Sequence, residues 1–268
     1  MSNKNSTAQF HFIANPSDAK SVELQEKMIS KYGQSTQKQA PTICAIGGDG
    51  SLLYALRDAF HKAVIGQCRD DSNSVGFWMN RVNPEANDLE TMINNAHRYL
   101  LKPLRIDILH KDKTRAIKYA FTDAAVMSNN GQASLVHLKD LDVEGNDQRI
   151  MGNGLTFATP FGSTAKAYAE GGSALDLSLA AFILTGSAVC SPLNFKSFVY
   201  PEEAKLLIEM NPENVKRDQR LDIDGVTYIA PKGTSVASFE ITTDQDKSAT
   251  LLLDRPARSA FKALTREL

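Results

Sequence analysis

The sequence predicts two domains of different texture, an α/β domain over residues 1–102 and a β-rich domain over residues 103–255. In the first domain strands and helices alternate, which is typical of a parallel α/β sheet. After Pro103 the pattern changes to many short strands separated by polar turns, which is typical of a β-sandwich. The last residues, 256–268, have a helical pattern, and we expect this helix to pack back on the first domain.

The first strand and helix of the α/β domain have clear sequence signals. Apolar residues in Phe10–Ala14 predict a short buried strand, which Asn15-Pro16 ends. We expect Ser17 to cap the following helix and Gly33 to end it. The apolar face of this helix is formed by Val22, Leu24, Met28 and Ile29.

The second strand, Thr42–Ile46, leads into a glycine turn and a further helix. Apolar residues recur after the turn at helical spacing: Leu52, Leu53, Leu56 and Phe60. Ser74–Met79 is interpreted as another strand, and a helix is predicted from Pro84 to about Leu101.

The β-rich domain is predicted from its short segments of β-branched and apolar residues. The predicted strands are Leu104–Leu109, Arg115–Phe121, Ala124–Ser128, Ser134–Leu138, Leu155–Ala158, Ala204–Met210, Leu221–Ile223, Thr227–Ile229, Ser235–Thr242 and Ala249–Leu253. Polar turns such as Glu144–Asp147 separate them.

Composition limits the possible partners. The chain has 268 residues, of which 42% are hydrophobic, and a formal net charge of -1, so global charge does not favour binding to nucleic acid or an acidic membrane. Its three cysteines (Cys44, Cys68 and Cys190) form no metal-ligand spacing, and their odd number argues against a disulfide framework. The start, Met1–Gln9, is polar, and the longest apolar-rich run, Ala180–Val189, is too short to span a bilayer. We therefore expect a cytoplasmic protein.

Scattered polar residues give weaker signals. His97, His110 and His137 lack the spacing of metal ligands. The acidic run Asp140–Asp147 favours a solvated hairpin over a Ca²⁺ loop, because the spacing of an EF-hand and its closing Glu are missing.

The turn Gly47-Gly48-Asp49-Gly50-Ser51 follows a strand and precedes a helix. Glycines at such a place let backbone N–H groups approach phosphate oxygens, and the helix N-terminus favours anions. Two tasks fit Asp49 there: accepting the proton of an attacking hydroxyl, or holding Mg²⁺ beside the phosphates. The alternative is a tight turn in which Asp49 only caps the helix.

A second glycine segment, Thr159–Ala165, supplies hydroxyl donors from Ser163 and Thr164, with Gly162 permitting close approach. Taken alone it is equally compatible with a polar turn before a helix. Together with the upstream glycine turn, in this order, it indicates a nucleotide kinase.

The two segments together resemble the NAD kinase family, which carries GGDG and a TPxGSTAY segment followed by GG, here Gly171-Gly172. The resemblance implies a Rossmann-like α/β domain, a β-rich domain and a site in the cleft between them. It also implies transfer of the γ-phosphate of ATP, or a phosphate of polyphosphate, to the 2′-hydroxyl of the adenosine ribose of NAD, with Mg²⁺ or another divalent cation.

The resemblance also implies roles for particular residues. Asp49 would be the catalytic base, and Gly47, Gly48, Gly50 and Ser51 would contact phosphates. The implied acceptor-binding residues are Asp49, Gly50, Thr122, Asp123, Asn153, Ser163, Thr164, Ala165, Lys166, Ala169 and Ala188. Family members are commonly homodimers or homotetramers, with the β-rich domain at the interface.

The chain departs from the family pattern on the acceptor side. Thr122-Asp123 stands where the family has Asn-Glu, Asn153 where it has Asp, and Lys166 where it has Tyr. Thr cannot offer the two-point hydrogen bonding of an amide, and Lys offers a point charge in place of a stacking face. We predict a NAD kinase with an altered acceptor pocket. The alternatives are a kinase of another nucleoside or nucleotide and a non-catalytic nucleotide sensor.

Overall fold

The computed structural model describes residues 9–68, 77–80, 89–211 and 217–263. The chain divides into two units. Unit 1 comprises Met1–Leu101 and Lys247–Leu268, and unit 2 comprises Lys102–Asp246. Within the described residues, every helix is too short or too polar to cross a membrane.

The secondary structure of the described residues is mostly strand. In chain order the strands are β1 (Phe10–Ala14), β2 (Thr42–Gly47), β3 (Ala63–Cys68), β4 (His97–Leu101), β5 (Leu104–His110), β6 (Arg115–Ala120), β7 (Asp123–Ser128), β8 (Ser134–Asp140), β9 (Asp147–Gly152), β10 (Gly154–Ala158), β11 (Ala181–Ser187), β12 (Phe198–Pro201), β13 (Leu206–Met210), β14 (Gln219–Ile223), β15 (Val226–Thr227), β16 (Val236–Thr243) and β17 (Ala249–Leu253). The α-helices are α1 (Ala19–Tyr32), α2 (Asp49–Leu56), α3 (Leu89–Asn95) and α4 (Lys166–Ala169), and a 3₁₀ helix spans Ala257–Ala263.

Unit 1 contains a five-stranded sheet in the order β1-β2-β3-β17-β4. The first four of these strands run parallel, and β4 is antiparallel to β17. The strand β2 is buried along its whole length, as expected for a parallel strand covered on both faces. The core joins residues of α1, α3 and the strands: Phe10, Phe12, Met28, Cys44, Ile46, Ile65, Leu89, Met92 and Leu252.

The helix α1 differs slightly from its predicted start. It begins at Ala19 with Asp18 at the N-cap position, so the expected cap at Ser17 is wrong, whereas Gly33 follows its last residue as predicted. Gly33 has φ 76° and its N–H donates to the carbonyl of Ile29 at 2.8 Å. A glycine adopts that backbone conformation without steric cost, which explains why the helix ends there.

The end of the predicted α/β domain is different in the structure. The helix expected from 84 to 101 is helical only over Leu89–Asn95 among its described residues, and His97–Leu101 forms a strand that pairs with β17. The strand β3 was not predicted at all. Of the strand predicted at 74–79, residues 74–76 lie outside the described residues and the rest forms a bend.

The strand β17 was predicted to belong to the β-rich domain, and this is wrong. Ala249–Leu253 pairs with β3 and β4, so the chain returns to unit 1 at Lys247, before the predicted position 256. The 3₁₀ helix follows it, and the N–H of Ala257 donates to Tyr99 Oη at 2.9 Å. Residues 264–268 of the predicted C-terminal helix lie outside the described residues.

Unit 2 contains two six-stranded antiparallel sheets, ordered β12-β11-β10-β7-β14-β15 and β6-β5-β16-β13-β8-β9. Residues of both sheets form one core, including Val126, Phe157 and Phe182 of the first and Ile106, Ile208 and Phe239 of the second. The predicted β-sandwich is therefore confirmed. Strands β9, β11 and β12 were not predicted, and the acidic run 140–147 forms the exposed turn of the β8–β9 hairpin, as expected.

Candidate active site

The glycine turn of unit 1 joins β2 to α2. Gly47 has φ +137°, a conformation that L side chains rarely adopt, so the chain requires glycine there. Gly48 is the N-cap residue of α2, and its carbonyl accepts the N–H groups of Ser51 and Leu52. A side chain on Gly48 or Gly50 would project into open space. Packing therefore does not require glycine at these two positions. Without side chains, they leave the backbone N–H groups of the turn accessible.

A cavity of about 500 Å³ lies beside this turn within unit 1. It is lined by the end of β1 and by α2, through Ile13, Ala14, Asn15, Pro16, Gly50, Ser51 and Tyr54. Small-molecule sites are typically about 300–1,000 Å³. The cavity therefore has the size of a ligand site, and predicted phosphate contacts Gly50 and Ser51 lie on its wall.

The carboxylate of Asp49 is fixed by backbone hydrogen bonds. The N–H of Phe77 donates to Oδ2 at 2.7 Å, and the N–H of Trp78 donates to Oδ1 at 3.1 Å. Burial raises the pKa of Asp49 above its usual value, while these two bonds and the charge of Arg255 act in the opposite direction. The result is an oriented carboxylate with a raised pKa, which suits a general base.

The segment that holds Asp49 is itself anchored by Asn80 and Arg255. Asn80 is fully buried, and its amide donates to the carbonyls of Gly66 at 2.9 Å and Leu252 at 3.0 Å. The guanidinium of Arg255 donates to the carbonyls of Phe77 at 3.2 Å and Met79 at 3.1 Å. The sheet of unit 1 therefore fixes the backbone that fixes Asp49.

In unit 2, Thr122 and Asp123 lie at the start of β7 and contact Asp224. The N–H and Oγ1 of Thr122 donate to Asp224 Oδ1 at 2.8 and 2.7 Å, and the N–H of Phe121 donates to Oδ2 at 3.0 Å. Asp123 is 8% exposed. Burial first, and then the charges of Asp224 and Glu170, raise the pKa of Asp123 to about 6, against a lowering effect of Lys166.

The predicted segment Thr159–Ala165 packs directly on Thr122. The hydroxyl of Thr159 donates to the carbonyl of Phe121 at 2.7 Å, and the N–H of Gly162 donates to that hydroxyl at 3.1 Å. A Cβ on Gly162 would overlap the carbonyl group of Thr122, so glycine is needed for close approach. The structure thus brings the two predicted acceptor segments together.

Ser163 has a structural contact that its predicted ligand role did not anticipate. Its hydroxyl donates to the carbonyl of Pro160 at 2.8 Å and accepts the N–H of Leu175 at 2.8 Å, and the residue is fully buried. Thr164 is buried as well, at 5% exposure, whereas Ala165 and Ala169 are exposed.

Lys166 is paired within its own helix. Its Nζ lies 3.0 Å from Oε1 of Glu170, and the hydroxyl of Thr185 donates to the other oxygen of that carboxylate at 3.2 Å. The sequence predicted that Lys166 places a positive point charge on the acceptor side. The carboxylate of Glu170 offsets that charge.

Asn153 and Ala188 are not brought together with Asp123. Asp123 lies opposite Ala158 at one end of β10, while Asn153 precedes Gly154 at the other end, roughly 17 Å away at about 3.4 Å per residue. Ala188 is next to Asn153, because the N–H of Asn153 donates to the carbonyl of Ser187 at 2.8 Å. Within one chain, the predicted acceptor residues of unit 2 therefore form two groups.

Comparison with known proteins identifies the relatives of this chain. It matches no family model. A NAD kinase of Xanthomonas campestris is 29% identical over 198 residues, covering 73% of this chain and 74% of that protein. A NAD kinase of Brucella suis is 25% identical over 252 residues, covering 91% and 95%. The chain is therefore similar, over most of its length, to proteins named NAD kinase.

Solved structures of NAD kinases share its fold. Yeast NADH kinase complexed with NADH matches with a TM-score of 0.78 at 14% identity, covering 98% of this chain and 88% of that one. A NAD kinase from Archaeoglobus fulgidus in complex with ATP matches with a TM-score of 0.69 at 19% identity, covering 95% and 98%. The predicted combination of a Rossmann-like parallel sheet with a β-rich sandwich is confirmed.

Four residues that contact or support the candidate site were not predicted from the sequence: Asn80, Glu170, Asp224 and Arg255. Asp224-Gly225 has the sequence signal of a tight hairpin turn. That signal explains the two residues locally and gives no indication that Asp224 contacts Thr122. Asn80 and Arg255 contact residues that are distant in sequence, so no local pattern could have indicated their roles.

The fit of a divalent cation depends on the carboxylates of the site. In the part of the chain that the structure describes, no group of three or more His, Cys, Asp or Glu side chains is arranged to hold a metal ion. Mg²⁺ in kinases is commonly held by one or two carboxylates and the phosphates of the substrates. Asp49 fits that single-carboxylate arrangement within unit 1.

Proposed function

We propose that this chain is a NAD kinase, which transfers the γ-phosphate of ATP to the 2′-hydroxyl of the adenosine ribose of NAD and forms NADP. The observation that carries the proposal is the Asp49 site: an oriented, partly buried carboxylate at the N-terminus of α2, beside a cavity of about 500 Å³. The homologues named NAD kinase support the assignment of the acceptor.

In the proposed reaction Asp49 acts as general base. It accepts the proton of the 2′-hydroxyl while the hydroxyl oxygen bonds to the γ-phosphorus of ATP, and the bond from that phosphorus to the β–γ bridging oxygen breaks. ADP leaves with the electron pair of the broken bond. The raised pKa of the Asp49 carboxyl favours proton acceptance, and its two backbone hydrogen bonds keep the oxygens in one orientation.

The glycine turn supplies the phosphate contacts in this proposal. Backbone N–H groups at Gly48 and Gly50 are accessible because neither residue carries a side chain, and they lie at the positive end of α2. Mg²⁺ would offset phosphate charge in the transition state and would be held by the phosphates of the substrates. Asp49 would hold it only in the alternative in which that carboxylate is not the base.

The proposal extends to the acceptor side of unit 2. Asp123 accepts hydrogen bonds from ribose hydroxyls, and Thr122, Thr164, Ala165 and Lys166 form the wall beside it. Lys166 stands where the family pattern has Tyr, and its charge is paired with Glu170. This difference favours one second candidate, a kinase of another nucleoside or nucleotide that does not need a stacked adenine.

Further proposals concern the state of the protein in the cell. We propose a cytoplasmic homodimer or homotetramer whose partners are NAD and ATP, with neither a nucleic acid nor a membrane as partner. The two separated groups of acceptor residues in unit 2, around Asp123 and around Asn153, are compatible with an assembly. Light scattering of the purified chain measures its mass and tests this point.

A coupled assay tests the function. Purified protein is incubated with Mg²⁺, ATP or polyphosphate, and either NAD or NADH, and the NADP(H) formed is measured with a dehydrogenase specific for NADP(H). The proposal predicts NADP from NAD and ATP. Phosphorylation of another nucleotide in place of NAD would support the second candidate. Binding of NAD or ATP in a thermal-shift panel without phosphorylation of any acceptor would indicate a sensor.

A further inference from the structure

The side chain of Asp224 holds a neighbouring segment of unit 2. It is 3% exposed, and its two oxygens accept three hydrogen bonds from one short segment. These are the N–H of Phe121 at 3.0 Å and the N–H and hydroxyl of Thr122 at 2.8 and 2.7 Å. Hydrogen bonds to a charged acceptor are about twice as strong as neutral ones. The Asp224 carboxylate is thus a strong clamp on the residues directly before Asp123.

The backbone of Asp224 is also fixed. Asp224 and Gly225 have φ values of 48° and 72°, which places both in the left-handed region and forms a tight turn between β14 and β15. The N–H of Asp224 donates to the carbonyl of Asp123 at 2.9 Å. The turn and the Thr122-Asp123 dipeptide therefore hold each other through side chain and backbone together.

Thr159 and Gly162 hold the same dipeptide from another element. Thr159 donates its N–H to the carbonyl of Thr122 at 2.9 Å, and Gly162 packs against that carbonyl group. Asp224 and the Thr159 segment thus fix the peptide groups around Thr122, and the orientation of Asp123 follows from them.

The position of Asp224 carries an electrostatic cost that argues for a role beyond folding. It lies close enough to Asp123 for its charge to raise the pKa of that carboxyl, and two buried carboxylates repel each other. A neutral side chain could accept hydrogen bonds without this repulsion. Pairs of carboxylates in different environments are a recurring feature of functional sites.

We propose that Asp224 is a positioning residue for acceptor binding, which orients Thr122 and Asp123 toward the nucleotide. This inference rests on the proposed function, because it names a further residue of the same acceptor site. Asp224 itself does not touch the acceptor in this proposal. Its effect is transmitted by the three hydrogen bonds to Phe121 and Thr122.

Asp224→Asn tests the proposal by changing few atoms. The amide has one acceptor oxygen and places an NH₂ group against a backbone N–H, so one of the two sides of the clamp is lost. We expect the KM for NAD to rise about 10-fold, with kcat changed by less than about threefold, because a lost charged hydrogen bond weakens binding by about that factor. Asp222→Asn is the matched control, since that carboxylate on β14 pairs with Arg220.

Thr122 provides a second pair of variants, which serves if Asp224→Asn does not fold. Thr122→Ala removes one of the three hydrogen bonds, and Thr122→Ser keeps it. We expect the KM for NAD to rise about threefold in Thr122→Ala and to return to the wild-type value in Thr122→Ser. Equal KM values for both Thr122 variants would overturn the proposal.

The pH profile of NAD binding reports the charge coupling between Asp224 and Asp123 and is measured alongside KM. The charged groups facing Asp123 are Asp224, Glu170 and Lys166. Asp123 accepts hydrogen bonds from hydroxyls best when it is ionised, so affinity falls as the pH drops through its pKa of about 6. Removing the charge of Asp224 lowers that pKa, and in Asp224→Asn the acid limb shifts to lower pH.

The outcomes separate this proposal from the proposed function. If the wild-type chain forms NADP but folded Asp224→Asn has the wild-type KM for NAD, the positioning role is wrong and the kinase assignment stands, whatever the position of the acid limb. If the wild-type chain binds NAD without forming NADP, the kinase assignment fails, and the Kd for NAD replaces KM in the same comparison. A wild-type chain that binds no NAD overturns both.

Discussion

The two regions proposed to carry function differ in how they hold their key groups. In unit 1, Asp49 is held by backbone N–H groups of Phe77 and Trp78, and its turn offers further backbone N–H groups. In unit 2, Asp123 stands among ionisable side chains, namely Asp224, Glu170 and Lys166. The glycine turn keeps the NAD kinase pattern, whereas the acceptor side departs from it at several positions.

This difference has a physical explanation. In the proposed site the phosphate contacts come from main-chain N–H groups, so they survive wide sequence change as long as the turn is preserved. Recognition of a ribose and a base depends on particular side chains, and each substitution there changes the donors, acceptors or stacking faces available. Divergence of an acceptor site therefore proceeds without loss of the phosphate turn.

The largest predicted effect concerns the base in unit 1. Asp49→Asn removes the proton acceptor, and we expect kcat to fall about 1,000-fold in the coupled assay, the range of general-base catalysis. Asp58→Asn, which changes an exposed carboxylate just after α2, is the control and should keep wild-type activity. An Asp49→Asn enzyme that retains a tenth or more of kcat, which is a loss of at most about 1.4 kcal/mol of transition-state stabilisation, would remove Asp49 from the mechanism.

Loss of the anchor of unit 1 should affect stability. Asn80→Ala leaves the carbonyls of Gly66 and Leu252 without the amide that bonds them, at a cost of about 3 kcal/mol of unfolding free energy. Trp78 is the one tryptophan of the sequence and is 2% exposed, so urea unfolding followed by its fluorescence reports on this segment. The exposed Asn129→Ala is the matched control, with an expected change within about 0.5 kcal/mol. Equal midpoints for both variants would contradict the anchoring role.

The buried carboxylate of unit 2 predicts a pH-dependent stability. The pKa of Asp123 is about 6 in the folded chain against 3.8 ordinarily, so the folded state binds the extra proton between these values. Stability from this group is therefore present at low pH and falls, by up to about 3 kcal/mol, as the pH rises from about 4 to 6. Asp123→Asn lacks this loss and should gain stability relative to wild type over that window.

Asp112→Asn is the control for this pH experiment, because the pKa of Asp112 is shifted in the opposite direction to that of Asp123. Hydrogen bonds from Thr114 lower the pKa of the exposed Asp112. That carboxylate stabilises the fold when ionised, so Asp112→Asn loses stability relative to wild type as the pH rises. Thermal unfolding curves at several pH values measure both variants. A pH-independent difference between Asp123→Asn and wild type would show that the ionisation of Asp123 has no effect on folding.

The smallest predicted effect concerns Lys166. Lys166→Tyr restores the aromatic face of the family, and we expect the KM for NAD to fall about threefold, since an aromatic contact contributes about 0.5–1.5 kcal/mol. Lys166→Met removes the charge without adding a ring, so a fall in KM for Tyr but not for Met assigns the effect to stacking. An unchanged KM in Lys166→Tyr would refute this account of the acceptor wall.

Stability should change little in the same variants. The pair Lys166–Glu170 is partly exposed, and such i,i+4 pairs contribute less than about 1 kcal/mol. The exposed pair Lys27–Glu23 on α1 provides the comparison through Lys27→Met. Similar small shifts of the unfolding midpoint in both Met variants are expected.

The sequence by itself determined the local elements and the chemistry-bearing turns. The strand Phe10–Ala14, the end of α1 at Gly33 and the turn at Gly47–Ser51 follow from apolar runs and from glycines that adopt conformations closed to other residues. The β-sandwich also followed, because most of its strands are short segments of apolar and β-branched residues separated by polar turns. These signals are local, so the same segments form the same elements whatever the rest of the chain packs against them.

Only the tertiary structure decided which distant segments meet. The strand His97–Leu101 exists because it pairs with Ala249–Leu253, and the apparent helical pattern before it was overridden by that pairing. Asn80, Arg255 and Asp224 act on backbone groups far away in sequence. Such contacts are set by the packing of whole sheets, so no window of sequence contains them, and the support of both candidate carboxylates became visible only in the fold.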